Sequence, residues 1–324
     1  MSNLAEFARE LHEKESRIYE RKFEPVDYPS GQENLSDIRA VIFDVYGTLI
    51  NYWKPGFETP QSRADALLQA FRLIADRFGM TELLTEINPS DKPEKTLSDF
   101  YHGLIALSHE KAAKSGREFP EVKIEEVWNL IVMILKRRGY DPSAFNPAAS
   151  EDFGRVLAFS YNFHSLGRQL YPGVVDALEK LKKQNIVLGL FSNSQFYTPI
   201  DLTLLIRDQS NGKYDDYNEL FDPDLTFFSY EYGISKPNQQ LFRKLYDSLY
   251  EYQILPEQTV MVGNDLSLDI QPSAAVGMRT AFFTGDKEYA FMHNIEQTVI
   301  PDICFQNWGE LHQKLSFYSQ EKNI

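Results

Sequence analysis

Residues 38–48 read IRAVIFDVYGT, an apolar run that stops at Asp44 and passes directly into a glycine turn. Branched and aromatic side chains without polar alternation suit a strand buried on both faces, with Asp44 delivered at its carboxyl end. The same figure recurs downstream. Ile186–Phe191 is apolar and ends in Ser192-Asn193, and Thr259–Val262 ends in Gly263-Asn264-Asp265. Leu225–Ser229, Arg279–Phe283 and an edge at Asp302–Phe305 add further short strands, while Val174–Lys183 and Asn238–Tyr250 have helical spacing between them. Strands alternating with helices predict an α/β fold, a doubly wound parallel sheet covered on both faces. Ligands of such sheets bind at the carboxyl ends of the strands.

Between the first two strands the character changes. Ala64, Leu67, Leu68, Phe71 and Ile74 share one helical face, and Thr96-Leu-Ser-Asp99 has the form of a capping box opening a second helix through Leu107. Ile124, Val127, Trp128, Ile131, Ile134 and Leu135 mark a third helix, and Phe153, Val156, Leu157 and Tyr161 a fourth. With no strand signal in this stretch, residues 55–165 read as a helical domain inserted into a core made of 38–54 and 166–324. Residues 1–37 form a separate extension: Leu4, Phe7, Ala8 and Leu11 recur at helical spacing before a charged run and the Pro25, Pro29, Ser30, Gly31 punctuation. A surface helix and linker is the simpler reading, and a homodimer or partner helix is the alternative.

The 324 residues suffice for two domains with sizeable cores. A formal charge of −14 argues against a nucleic-acid partner, which needs clustered Lys and Arg, but leaves room for a small anionic substrate at a locally positive site. The longest apolar runs fall far short of the ~20 residues that cross a bilayer, so no membrane partner is expected. The opening residues are charged from Glu6 onward without the apolar centre of a signal peptide, and Cys304 stands alone; the expected compartment is the cytoplasm.

Parallel packing would bring Asp44, Ser192, Asn264-Asp265 with Asp269, and Lys236 of the Gly233-Ile-Ser-Lys-Pro237 turn to one rim. A carboxylate, a hydroxyl, an ammonium and an acid/amide cluster suit attack by Asp44 on an electrophilic centre, with Ser192 and Lys236 holding substrate oxygens. Singly, each has an ordinary use as a turn, cap or solvated residue; their order at successive strand ends is what joins them. Other candidates weigh less. Tyr52, Trp53 and Phe57 read as packing, His102 and His109 lack a third ligand in register, and Tyr214–Tyr217 reads as a solvated loop.

Phe43-Asp-Val-Tyr-Gly-Thr-Leu49, Phe191-Ser-Asn193, Gly233-Ile-Ser-Lys-Pro237 and Val262-Gly-Asn-Asp-Leu-Ser-Leu-Asp269 resemble the four motifs of the haloacid dehalogenase superfamily of hydrolases. Ala274-Ala-Val-Gly-Met278 resembles the helix end after the fourth motif, and the helical insert resembles the family's mobile cap. The resemblance implies a Rossmann-like core with Asp44 as nucleophile, Ser192 binding the transferring group, and Lys236 and Asp269 completing the catalytic set. Tyr46, Thr48 and Asn193 are the expected substrate-binding residues. In the phosphatase branch Mg²⁺ would be held by Asp44, the Tyr46 carbonyl, Asn264 and Asp265.

Two positions depart from the phosphatase pattern. Tyr46 stands where a second Asp usually serves as general acid, and Asn264 where a direct metal carboxylate follows the glycine. Both point towards the metal-independent dehalogenase branch, whose halide leaving group needs neither proton nor metal. The fourth motif, however, lacks the Ser-Ser-Asn form expected there, and no Arg follows the first motif closely; Lys54 is nearer than Arg63. A small-monoester phosphatase, a 2-haloacid dehalogenase and a low-turnover binding or regulatory protein on the same fold are the three readings.

Overall fold

The computed structural model describes residues 3–145, 153–292 and 299–317. Among them are the short strands β1 (Leu35–Ile38), β2 (Ala40–Phe43), β3 (Ile50–Asn51), β4 (Gln169–Leu170), β5 (Val187–Ser192), β6 (Thr226–Phe228), β7 (Thr259–Gly263), β8 (Arg279–Phe283), β9 (Ile303–Phe305) and β10 (Leu315–Phe317). Six form one sheet in the order β6-β5-β2-β7-β8-β9, with every neighbouring pair parallel. The chain builds outward on one side of β2, then crosses to build outward on the other. The order therefore reverses beside β2, the switch point at which such sheets open a crevice for ligands.

The unbroken apolar strand of the sequence is thus the centre of the sheet. Its residues alternate between two cores: Val41 and Phe43 face one, Ala40 and Ile42 the other. On the first side Phe43 meets Phe221 at 6.1 Å and Trp308 at 5.9 Å between ring centroids. On the second, Ile42 and Met261 pack with Leu241, Phe242 and Leu245. At about 1.5–3 kcal/mol for each large apolar side chain removed from water, these two layers dominate the favourable side of folding.

The chain divides into two compact units, one of Glu20–Asn51 with Gln169–Ile324 and one of Met1–Tyr19 with Tyr52–Arg168. This differs from the sequence reading at the N-terminus, where residues 1–37 do not stand apart. Residues 20–32 run as an ordered strap on the sheet unit. Val26 N–H donates to the Thr284 carbonyl at 2.9 Å, Gly31 N–H to Pro301 at 2.9 Å, and Arg21 forks onto both oxygens of Asp286 at 2.8 Å each. The Ile38–Phe43 run is also two strands, because β1 leaves the main sheet to pair with β10. Tyr214 and Tyr217, expected in a solvated loop, are half-buried against the core, while Asp215 and Asp216 between them are exposed.

The second unit is helical: α1 (Asn3–Glu15), α2 (Pro60–Arg77), α3 (Thr81–Ile87), α4 (Pro93–Lys114), α5 (Ile124–Lys136) and α6 (Phe153–Ser165). Its centre is aromatic, with Phe71 of α2 against Tyr161 at 4.3 Å and against Tyr101 at 5.3 Å. The buried positions Val127, Trp128, Ile131 and Leu135 of α5 are those the periodicity singles out. Leu4, Ala8 and Leu11 of α1 are buried too, and Phe7 meets the Phe159 edge, so α1 belongs to this unit's core. The expected capping box at Thr96 is absent. α4 starts at Pro93, whose fixed φ favours the first helical position, and leaves Thr96 inside the helix. α2 carries the box instead, from Thr59 and Ser62.

Candidate active site

Four loops leave the carboxyl ends of β2, β5 and β7 and the turn after β6, and they meet on the Lys236 ammonium. Its Nζ lies 2.8 Å from Asp44 Oδ1, 2.5 Å from Asp269 Oδ1 and 2.8 Å from the Phe191 carbonyl. The side chain is 1 % exposed, and Asp44 and Asp269 are also buried. Burial alone would drive the proton off Lys236, but the two carboxylates reverse that and raise its pKa above the ordinary value. Burial first, then repulsion from Asp44, pushes Asp269 well above the usual carboxylate range despite the Lys236 charge. The cluster therefore holds Lys236 as a cation on Asp44.

The lysine is aimed by Asn193. The Asn193 Oδ1 accepts the Lys236 N–H at 2.7 Å, and its Nδ2 donates to the Lys236 carbonyl at 3.1 Å. Asn193, expected to touch substrate, spends its amide on this two-bond clamp. Ser192, one residue earlier, is the opposite case. It is 1 % exposed, and among the described residues its Oγ has no hydrogen-bond partner. A buried hydroxyl without a partner costs about 1–3 kcal/mol, and it leaves a donor open to an acceptor oxygen.

On the other side of Asp44, Thr48 Oγ1 lies 3.2 Å from Asp44 Oδ2 and 3.0 Å from Asn264 Oδ1. The Asn264 Nδ2 donates to the Tyr289 carbonyl at 2.6 Å. That carbonyl can only accept, so it fixes the amide with its oxygen turned towards Thr48 and Asp44. Asp265 directs Oδ1 to the Ser267 and Leu268 N–H groups at 2.7 and 2.9 Å, capping the following turn. Its N–H donates to Asp269 Oδ2 at 3.1 Å, which locks the second carboxylate of the motif. The Tyr46 hydroxyl lies 3.0 Å from Thr198 Oγ1, at the start of the helix α7 that we define as Thr198–Gln209.

Two glycines make these approaches feasible. Gly47 sits at φ +82°, and a Cβ there would fall 2.3 Å from Asn264 Nδ2. A Cβ on Gly263 would fall 2.4 Å from Asp269. The structure brings Asp44, Thr48, Lys236, Asn264 and Asp269 into one bonded group. The partners that sequence reasoning did not find are backbone carbonyls, of Phe191 and Tyr289, which leave no signature in residue type. His102 and His109 are both exposed, and among the described residues no group of three or more His, Cys, Asp or Glu side chains is placed to hold a metal. The donors beside Asp44 are nonetheless all oxygens, the kind a hard divalent cation takes alongside retained waters. An Asn264 amide oxygen oriented to the Asp44 side fits such an ion with one protein charge fewer than a second carboxylate would give.

A family model for haloacid dehalogenase-like hydrolases matches residues 38–277. The Rhythmically expressed gene 2 protein of Drosophila melanogaster is 23% identical over 295 residues, covering 87% of this chain and 97% of that protein. The glyceraldehyde 3-phosphate phosphatase of Methanothermobacter thermautotrophicus is 26% identical over 194 residues, 55% of this chain and 79% of that one. The crystal structure of a 2-haloacid dehalogenase from Pseudomonas syringae pv. Tomato DC3000 shares the fold at a TM-score of 0.51 and 19% identity, covering 85% of this chain and 97% of that one. This chain belongs to the haloacid dehalogenase-like hydrolases.

Proposed function

We propose that this hydrolase is a phosphatase of a small phosphate monoester that works through a covalent Asp44 intermediate. The observation that carries the reading is the Lys236–Asp44 pair together with the partnerless buried Ser192 Oγ at the end of the neighbouring strand β5, a cation and a donor for the oxygens of a tetrahedral anion. The phosphatase among the relatives supports it. An Asp44 oxygen forms the new bond to phosphorus as the bond to the ester oxygen breaks, and the leaving group departs as its oxyanion, taking its proton from water. Water then attacks the aspartyl-phosphate, restoring the Asp44 carboxylate and releasing inorganic phosphate. Lys236 offsets the charge that builds on the equatorial oxygens, the main requirement of phosphoryl transfer. Mg²⁺, held by Asp44, the Tyr46 carbonyl and Asn264, would supply the remaining charge neutralisation between carboxylate and phosphate.

The position two residues after Asp44 carries a phenol bonded to Thr198 in place of a carboxylic acid. A positioned acid is worth about 10²–10⁴ in rate, and a phenol of pKa ~10 replaces it poorly. The substrate is accordingly an ester with a good leaving group, and p-nitrophenyl phosphate is the reporter of choice. Chelator-sensitive phosphate release that disappears in Asp44→Asn is the expected result. The second reading, a 2-haloacid dehalogenase, is favoured by Tyr46 and Asn264 themselves. Metal-independent chloride release from 2-chloropropionate, without phosphate release, would replace the phosphatase with it.

A further inference from the structure

We propose that the helical unit carries a second ligand site, a basic cavity that takes a small phosphorylated molecule independently of Asp44. The cavity holds about 540 Å³, the size of a metabolite site, and is walled by the ends of α1, α2 and α6 with the residues that follow α1. Five cationic side chains line it: Lys14, Arg17, Lys54, Arg77 and Arg168. On a chain of formal charge −14, such a concentration of positive charge in one concavity is against the general balance.

The two carboxylates in the wall are already committed. Glu15 pairs with Arg77, and Asp76 accepts from Arg72 Nε at 2.7 Å and from Thr81 Oγ1 at 2.5 Å. The Lys54 ammonium is turned to the His164 carbonyl at 2.5 Å, and burial alone lowers its pKa, with no carboxylate acting to restore it. Arg168 is 8 % exposed, and its guanidinium is held over the Phe163 ring at 4.8 Å and the Phe159 ring at 5.3 Å. A stacked, planar guanidinium is the group best suited to fork onto phosphate oxygens. His164 adds a buried Nε2 with no hydrogen-bond partner among the described residues, 3.8 Å from a Glu15 oxygen. A dianionic group would offset the desolvated cations and give this nitrogen an oxygen partner. Because one wall is α1 and the residues just after it, occupancy would also fix the N-terminal helix in place, which gives that segment a use.

Calorimetric titration of inorganic pyrophosphate, in chelator and low salt, tests the site on the full chain. Wild type should bind, and Ser192→Ala should bind equally well. Arg17→Gln, at an exposed position that does not threaten folding, should weaken binding about tenfold, and Lys54→Gln at least as much. Lys111→Gln, a surface charge on α4 outside the wall, should change nothing. No binding by wild type, unchanged affinity in Arg17→Gln, equal weakening by Lys111→Gln, or loss in Ser192→Ala would each overturn the proposal. The last outcome would assign the pyrophosphate to the Asp44 site. Failure of the phosphatase reading, by contrast, would leave these affinities as they are.

Discussion

Ser192 and Lys236 stand at opposite extremes of bonding in one site, and mutation should separate them. The Ser192 Oγ makes no hydrogen bond among the described residues, so Ser192→Ala removes a buried unsatisfied group. Folding stability should hold or rise slightly, while kcat/KM on p-nitrophenyl phosphate falls about 10–100-fold, as expected for a lost charge-assisted bond. Parallel thermal melts and steady-state kinetics would check the split; a stability loss matching the activity loss would count against a substrate role. Lys236→Met leaves Asp44 and Asp269 buried without their cation and should cost about 3–5 kcal/mol at pH 8. Asp269 has a folded pKa above its unfolded value, so its charged form costs stability, and that cost grows as pH rises through the folded pKa. The deficit of Lys236→Met should therefore shrink at pH 5, where Asp269 is protonated, and denaturant melts at the two pH values would show it.

At the scale of elements, a carboxylate closing an apolar run is visible in sequence because strand burial and strand end are both written in residue type. Asp44, Ser192 and Asn264-Asp265 were legible for that reason, and the alternation of Ala40–Phe43 between two cores explains why the run has no polar gaps. Helix α7 was not legible. Its Thr198, Asp201, Leu202, Leu204, Leu205 and Ile206 are buried on several faces, which erases the 3.6-residue contrast that periodicity needs. Nor could spacing reveal that Asn193 clamps Lys236, since motif order says which loops meet and not which atoms bond. The Gly47 turn joins the two levels. Alanine there would be strained at φ +82° and would press its Cβ on Asn264, so Gly47→Ala should cost about 1–2 kcal/mol and displace the amide. The expected signature is a higher Mg²⁺ concentration for half-maximal phosphatase activity, measured by metal titration. A variant with wild-type metal response would overturn the ligand role proposed for Asn264.

For the whole molecule, composition suggested two domains with an arm left over, and the structure divides that arm between them. Residues 3–19 join the helical unit and residues 20–51 the sheet unit, because apolar α1 positions and the Arg21–Asp286 fork each find a different core. Sequence could not assign this division, since a short amphipathic helix and a Pro-rich strap fit any apolar groove. Folding the arm onto the helical unit buries His164, whose neighbours are Glu15, Arg77, Lys54 and Arg168. Burial first, then the nearby cations, lowers its pKa from 6.5 to about 4, with Glu15 opposing. The folded state thus binds this proton less tightly than the unfolded chain. The contribution of neutral His164 is complete above pH 6.5 and is lost as pH falls towards 4, an effect of at most about 3 kcal/mol. His164→Asn cannot titrate, so its thermal midpoint should fall less than that of wild type between pH 7 and pH 4.5. Scanning both proteins across that interval would decide the matter, and parallel curves would mean that the histidine gains its proton without cost and is not enclosed by the arm.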